Sequence, residues 1–291
     1  MISKFTKIPL AALYRAGYLL HHKIFLKKGV SLKHARIVIV GSYRIGGAGK
    51  TPFCIWLAKE LCRKGMKVAV LCHSAAKDES ILLEKALPAC TVIATWNRYR
   101  VAHEIDDSFD VIICDDGFED SRLGFAGAIC LEWEHEPETL HDIFPAGLAR
   151  SFPKDHPNTR LRLRCAGEEP DVQFSLQAIE NSYGKSLLET DGEAVLVAGI
   201  GDPDRFFRDV ESTGRAIRGK RRLRDHSTKL KKVVTELLAQ GLLVVTTEKD
   251  TCRLDRKAIE HENLFIARQA IHVSKAAEQE TLDLLLPTHS A

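Results

Sequence analysis

The sequence predicts an α/β protein built on a parallel sheet, and three observations carry that expectation. Short apolar runs alternate with amphipathic runs of helical length from residue 37 onward. A glycine-rich turn joins the first such pair, in IVIVGSYRIGGAGKTPFCIWLAKEL (residues 37–61). Two aspartates close the apolar run in FDVIICDDGF.

A chain of 291 residues makes one large or two medium domains, and 45% hydrophobic with 28% charged residues supplies an ordinary globular core. The net charge of +3 is unevenly placed: residues 1–36 carry eight Lys or Arg, and the first acidic residue is Glu60. Such asymmetry points to an anionic surface near the N-terminus. The eight cysteines are scattered without a C-x-x-C pair, several of them inside apolar runs, and read as reduced core residues of a cytoplasmic protein.

Residues 1–36 form the first of three expected segments. FTKIPLAALYRAGYLLHHKIFLKKG interleaves Leu, Ile, Phe and Tyr with Lys7, Arg15, His21, His22, Lys23, Lys27 and Lys28. The uncharged run Ile8–Tyr14 is too short to span a bilayer, and Arg15 with His21-His22-Lys23 breaks any signal-peptide core. Two readings fit the pattern equally: an amphipathic helix in the lipid interface, or a helix packed on the protein's own core with a solvated basic face.

Residues 37–165 are expected to form a phosphate-binding lobe. After a helix over 52–64 come a strand in KVAVLCHS, a helix in DESILLEKAL and a strand in TVIAT. A helix in RYRVAHEI, the strand of FDVIICDDGF and a strand in AGAICLEW follow. Residues 166–291 are expected to form a second, smaller α/β lobe. Short strands (RLRLRC, VQFSLQAI) lead to EAVLVAGIGDPDRFFRDV, a basic stretch, a helix in TKLKKVVTELLAQ and a strand in LLVVTTEKD.

The turn between strand and helix carries the chemistry. In the pattern G-x-x-x-x-G-K-[ST] the first glycine falls at Arg44, so the strict form fails by one residue. Gly46, Gly47, Ala48 and Gly49 still leave backbone N–H groups free to converge on phosphate oxygens. Lys50 is placed for the β- and γ-phosphates of ATP, and Thr51 for Mg²⁺ at the helix start. Asp115 and Asp116 end their strand where a carboxylate holds Mg²⁺ or its waters opposite Thr51; the residues do not say which of the two does so.

GGAGKTP, CDDGFED, FPAGLAR, LVAGIGDPDRFF, RDH and TTEKD occur in one chain, in that order. Together they resemble the tetraacyldisaccharide 4'-kinase family, the lipid A 4'-kinases of Gram-negative bacteria, and the similarity runs from about residue 5 to residue 255. The resemblance implies a two-lobed enzyme of P-loop NTPase-like fold that moves the γ-phosphate of ATP to the 4'-hydroxyl of an acylated disaccharide 1-phosphate. It implies an N-terminal helix on an anionic membrane surface, the cytoplasmic face of the inner membrane; neither nucleic acid nor an obligate protein partner is expected. Position by position, it makes Lys50 the phosphate-loop lysine and Thr51, Asp115 and Asp116 the Mg²⁺ group. Asp78 of KDES becomes the catalytic aspartate with Glu79 beside it on the substrate, and His226 the histidine of the DH segment. Arg150 matches the arginine of the family's PAGPLRE-like segment, and Glu248, Lys249 and Asp250 of TTEKD are expected at the nucleotide.

Elementary chemistry accepts these roles. A sugar hydroxyl is a weak nucleophile at neutral pH, so a positioned base must take its proton. Asp78 is expected to do so with His226 orienting it or sharing the proton, the two meeting only as the lobes close. From the residues alone, Asp78 is equally a helix N-cap before SILLEKAL, and His226 a solvated histidine in a basic loop. Arg215, Arg218, Lys220, Arg221, Arg222 and Arg224 suit a substrate phosphate or headgroups, or form a solvated loop; no nucleic-acid module accompanies them.

The chain also departs from the family pattern. An L-S-R-G-Y-G loop after the second strand is replaced by LCHSAAKDES, and DDGFQH has become DDGFED, placing Glu119 and Asp120 where an amide and an imidazole are usual. A carboxylate pair near phosphate is unfavourable unless a cation sits between. These departures keep two other readings open: a kinase or ligase with another acceptor, and a catalytically silent nucleotide-binding protein at the membrane.

Overall fold

Residues 4–25, 31–123, 126–133 and 136–286 are described by the computed structural model. The described residues divide into two compact units. One takes the described residues within 1–75, 83–173 and 273–291, the other 76–82 and 174–272.

In the first unit, helix α1 (Lys4–Phe25) precedes strand β1 (Arg36–Gly41). Residues 1–3 and 26–30 of the N-terminal segment, with Lys27 and Lys28, lie outside the described residues. Then follow α2 (Lys50–Arg63), β2 (Val68–His73), α3 (Lys77–Ala86), β3 (Thr91–Thr95), α4 (Arg98–Glu104), β4 (Val111–Asp115), β5 (Gly127–Glu132) and β6 (Thr159–Arg164). Six strands join in the order β3-β2-β4-β1-β5-β6, and every pairing is parallel.

β1 and β4 are neighbours, with Val40 opposite Asp115, so the turns that leave them emerge side by side at one sheet edge. That edge, at the carboxyl ends of parallel strands, is where ligands settle in open α/β sheets. Both strands are buried almost throughout, because helices cover a parallel sheet on its two faces. Ile39, Leu71, Ile112, Cys114, Phe118 and Leu123 are central members of one core cluster.

Gly41 ends β1 directly beneath Phe118. A Cβ at this position would stand 1.9 Å from the phenyl ring, so no other residue fits unchanged.

The second unit is built on β7 (Val172–Glu180), β8 (Ala194–Ala198), β9 (Ile217–Arg222), β10 (Leu243–Thr247) and β11 (Leu264–Val273), ordered β7-β11-β10-β8-β9. Helices α5 (Pro203–Glu211) and α6 (Leu230–Ala239), with the short α7 (Glu248–Thr251) and α8 (Arg256–Ile259), connect them. α9 (Lys275–Leu285) returns to the first unit. Residue 82 divides α3 between the units, so its first turn, with Asp78 and Glu79, belongs to the second.

The basic stretch differs from the loop expected of it. Ile217–Arg222 is an edge strand parallel to β8. Its cations project from a strand with one free side, as charge on an edge commonly does, and this guards against further strand pairing. Lys220 pairs with Glu211 at 2.6 Å, and Arg222 pairs with Asp204. Asp78 is not the N-cap of its helix either, since Lys77 precedes it within α3. Of the eight free cysteines five are buried, and the Cys62 and Cys90 sulfurs lie 3.1 Å apart.

Candidate functional site

The predicted residues fall into two groups, one in each unit. In the first, the turn from β1 to α2 carries Gly46, Gly47 and Gly49 at φ of 65°, 63° and 76°, the left-handed region that glycine enters without steric cost. Gly49 caps α2 with no side-chain hydrogen bond, which leaves the helix N-terminus open to an anion. Arg44, where the strict motif has glycine, is held in an antiparallel bridge with Ala149, and its guanidinium lies 5.8 Å over the Trp133 ring. Trp133 Nε1 in turn donates to the carbonyl of Ala48 at 2.9 Å, fixing the middle of the loop.

Thr51 Oγ1 donates to Asp115 Oδ2 at 2.8 Å. Asp115 is 2% exposed. Asp116 turns the other way, at φ 52°, a conformation costly for a non-glycine residue. Its carboxylate lies 3.3 Å from Lys50 Nζ and 3.3 Å from an Arg150 nitrogen. Burial pushes the Asp116 carboxyl up, but Lys50, Arg150 and Arg98 outweigh it and hold it down at about 2.

The two carboxylates that stand where the family has an amide and an imidazole each lie near a cation. Asp120 accepts from Arg98 at 3.4 Å and from Arg122 at 2.7 and 2.8 Å. Arg98, 5% exposed, also donates to the carbonyl of Asp115 at 2.7 Å. Glu119 stands near Arg150 and accepts from Ser151 Oγ at 3.5 Å; burial, with Asp116 and Asp155 adding to it against Arg150, pushes its carboxyl up to about 7. Arg98 was not among the residues singled out, and only the unusual Asp120 hinted that a counter-cation was needed.

In the second unit, Asp78 is 4% exposed, and both of its carboxylate oxygens lie 2.9 Å from His226 Nδ1. The two residues share one compact unit, because residues 76–82 associate with 174–272 rather than with the rest of the phosphate lobe. The expectation from sequence is that they meet as the lobes close; here they are paired within one unit. His226 adopts φ 57°; it and Asp116 are the non-glycine residues at positive φ among those described. Held strain of this kind concentrates at functional sites.

Around the pair stands a cationic and acidic shell. Lys249 Nζ donates to Glu79 Oε1 at 2.9 Å and lies 3.6 Å from Asp225. Burial favours its neutral form, but Glu79, Asp225 and Asp78 more than offset this and raise its pKa. Asp250 is fully buried, accepts from the Gly199 amide at 3.1 Å and from Thr247 Oγ1 at 3.0 Å, and has its pKa raised by burial against the pull of Arg253. Glu248 turns to Arg268 at 3.0 Å.

Arg253, which sequence reasoning missed, donates to the Gly199 carbonyl at 2.7 Å, pairs with Asp250, and brings Nε to 3.6 Å from Asp78. The signal was present in its position three residues after Asp250, one helical turn on.

Known proteins share this plan. The chain superposes on LpxK from Aquifex aeolicus, solved with ATP, at TM-score 0.67 and 20% identity, covering 97% of this chain and 99% of that one, which establishes the fold. It is 30% identical to the tetraacyldisaccharide 4'-kinase of Chlamydia muridarum, over 87% of this chain and 80% of that protein. It is 29% identical to that of Rhizobium etli, over 91% and 85%. The model of the tetraacyldisaccharide-1-P 4'-kinase family matches residues 4–287, and the chain belongs to that family.

Proposed function

We propose that the protein transfers the γ-phosphoryl group of ATP to the 4'-hydroxyl of an acylated glucosamine disaccharide 1-phosphate in lipid A biosynthesis. Family membership over residues 4–287 supports the reaction. The observation that carries the chemistry is the Asp78–His226 pair, a buried carboxylate oriented by an imidazole at 2.9 Å.

Asp78 takes the proton of the acceptor hydroxyl. His226 Nδ1, on its carboxylate, fixes which lone pair faces that proton. Arg253 and the Lys249–Glu79 pair hold the same carboxylate and its neighbour in place. Lys50 and Arg150, held ready by Asp116, are the cations that meet phosphate oxygens when nucleotide enters.

Thr51 and Asp115 offer a hydroxyl and a carboxylate oxygen at the start of α2, hard donors of the kind Mg²⁺ takes. Mg²⁺ bound there would neutralise charge on the β- and γ-phosphates. Asp115 is the carboxylate of this site in our reading, because Asp116 is already engaged by Lys50 and Arg150.

Helix α1 is read as the part that meets lipid. Leu10, Leu13, Leu20 and Ile24 are exposed, at spacings that place them on one helical stripe with Gly17. Ala11 and Arg15 on another face are buried against the protein's own unit. We assign α1 to the anionic surface of the inner membrane's cytoplasmic face on its exposed apolar stripe and the family membership; no helix among the described residues is long and apolar enough to cross a membrane.

Incubation with γ-labelled ATP, Mg²⁺ and acylated disaccharide 1-phosphate in detergent tests the reaction. Label is expected at the 4'-position with the parent protein and is lost with Lys50→Ala and with Asp78→Ala. Bound ATP without labelled lipid in the parent would overturn the assignment.

A further inference from the structure

Arg15 lies on the inward face of α1, and its guanidinium grips the carboxylate of Asp155. Nη1 donates to Oδ2 at 2.6 Å and Nη2 to Oδ1 at 2.5 Å. The two side chains are 10% and 8% exposed. The guanidinium also lies 4.9 Å over the Phe152 ring and 5.1 Å over that of Tyr18. A cation that served only to hold the helix on headgroups would stand on its outer face, free to reach them.

Asp155 belongs to a segment with two sides. Its Oδ2 also accepts from the Phe152 amide at 2.8 Å, and Ala11 of α1 packs with Ile143, Ala149 and Phe152 in a small core of their own. The same segment is laced to the phosphate loop. Ile45 N–H donates to the Leu148 carbonyl at 2.8 Å, Arg150 N–H donates to the Tyr43 carbonyl at 2.8 Å, and Arg44 bridges Ala149. Arg150 then carries its guanidinium to within 3.3 Å of Asp116, the carboxylate that also holds Lys50.

We propose that Arg15 is a positioning residue for the phosphate site: through Asp155 it sets the segment 142–156, and with it the phosphate-loop backbone at 43–45 and the guanidinium of Arg150. The helix assigned to the lipid surface is thereby also a structural part of the nucleotide site. Removing one partner of a buried, two-pronged ion pair leaves the other charge unpaired, so the segment must shift or admit water. Packed segments pass such shifts on as discrete rearrangements rather than absorbing them. The proposal rests on the kinase reading only for its effect on ATP; the linkage itself exists without substrate.

The test uses the full chain in detergent, with two readouts. Amide hydrogen exchange is compared between parent and Arg15→Ala without nucleotide, and MgATP affinity is then measured without lipid acceptor. Exchange is expected to rise at Ile45 and Arg150 as well as along α1, and MgATP binding to weaken by about tenfold. Asp155→Asn should reproduce both effects, and exchanging the charges (Arg15→Asp with Asp155→Arg) should recover part of each. Arg100→Ala, which removes an exposed ion pair with Glu104 in the same unit, sets the level expected of an ordinary surface pair.

Faster exchange confined to α1, with MgATP affinity equal to the parent's, would reduce Arg15 to an anchor and overturn the proposal. A parent that binds no MgATP would sink the kinase reading instead, while the exchange comparison still decides the linkage. If Arg15→Ala does not fold, Arg15→Lys keeps the charge but not the fork and serves for the same comparison.

Discussion

Nδ1 of His226 lies 2.9 Å from each carboxylate oxygen of Asp78, across 148 residues of chain. Groups that act as one unit lose function non-additively. Asp78→Asn is expected to slow phosphoryl transfer by about 10²- to 10⁴-fold, and His226→Ala by a smaller factor. The double variant should be no slower than Asp78→Asn alone. Single-turnover transfer with labelled ATP reads all three; additive losses would mean that the two residues act separately.

Glu119 and His156 give opposite pH dependences in the same unit. Burial, reinforced by Asp116 and Asp155, raises the Glu119 carboxyl to about 7, so between about 4.5 and 7 the folded protein binds the extra proton and stability falls as pH rises. Burial lowers His156 to about 4, with His22 and Arg15 adding to it against Asp155. The unfolded chain therefore binds the extra proton between about 4 and 6.5, and stability rises with pH there. The two slopes largely cancel in the parent. Glu119→Gln should unmask the rising slope and gain up to about 3 kcal/mol above pH 7, with no gain below about pH 4.5. Denaturant titrations at pH 4.5, 6 and 8 check this, and an equal gain at all three would refute it.

Gly41→Ala is expected to destabilise the protein by about 1–3 kcal/mol, because the new methyl group must displace the Phe118 ring. That ring stacks on His156 at 4.4 Å and follows Asp115-Asp116-Gly117 in the chain, so MgATP binding should weaken as well. Adding Phe118→Leu, which shortens the obstructing side chain, should restore part of the lost stability in thermal melts.

Leu13 and Leu20 are 70% and 62% exposed on α1. Replacing both with Gln removes apolar area from the stripe without touching Arg15, and binding to vesicles containing anionic lipid is expected to drop by about tenfold or more. Flotation of parent and variant with such vesicles decides it; equal recovery would mean that the stripe does not meet lipid.

Local pattern was enough for the glycine-rich turn between strand and helix. Glycines, Lys50 and Thr51 lie within a few residues of one another between a strand and a helix, and parallel pairing of β1 with β4 follows from two buried apolar runs. The basic run 217–222 was harder, since charges on one side of an edge strand hide the backbone pairing on the other. Arg98 carries no local mark, and Arg253 only its spacing of three from Asp250; each matters most through a distant carboxylate that the fold delivers to it.

By itself, then, the sequence determined the α/β class, the glycine-rich strand–turn–helix with the aspartates beside it, and the family whose motifs it carries in order. The tertiary structure alone decided that Asp78 and His226 lie paired within one compact unit, that Asp120 is offset by Arg98 and Arg122, and that Arg15 turns inward to Asp155. The reason is one of distance along the chain. Spacing and periodicity report what neighbours in sequence must do, whereas the pairing of buried charges depends on which strands and helices pack together, and burial makes such pairing obligatory only once they do.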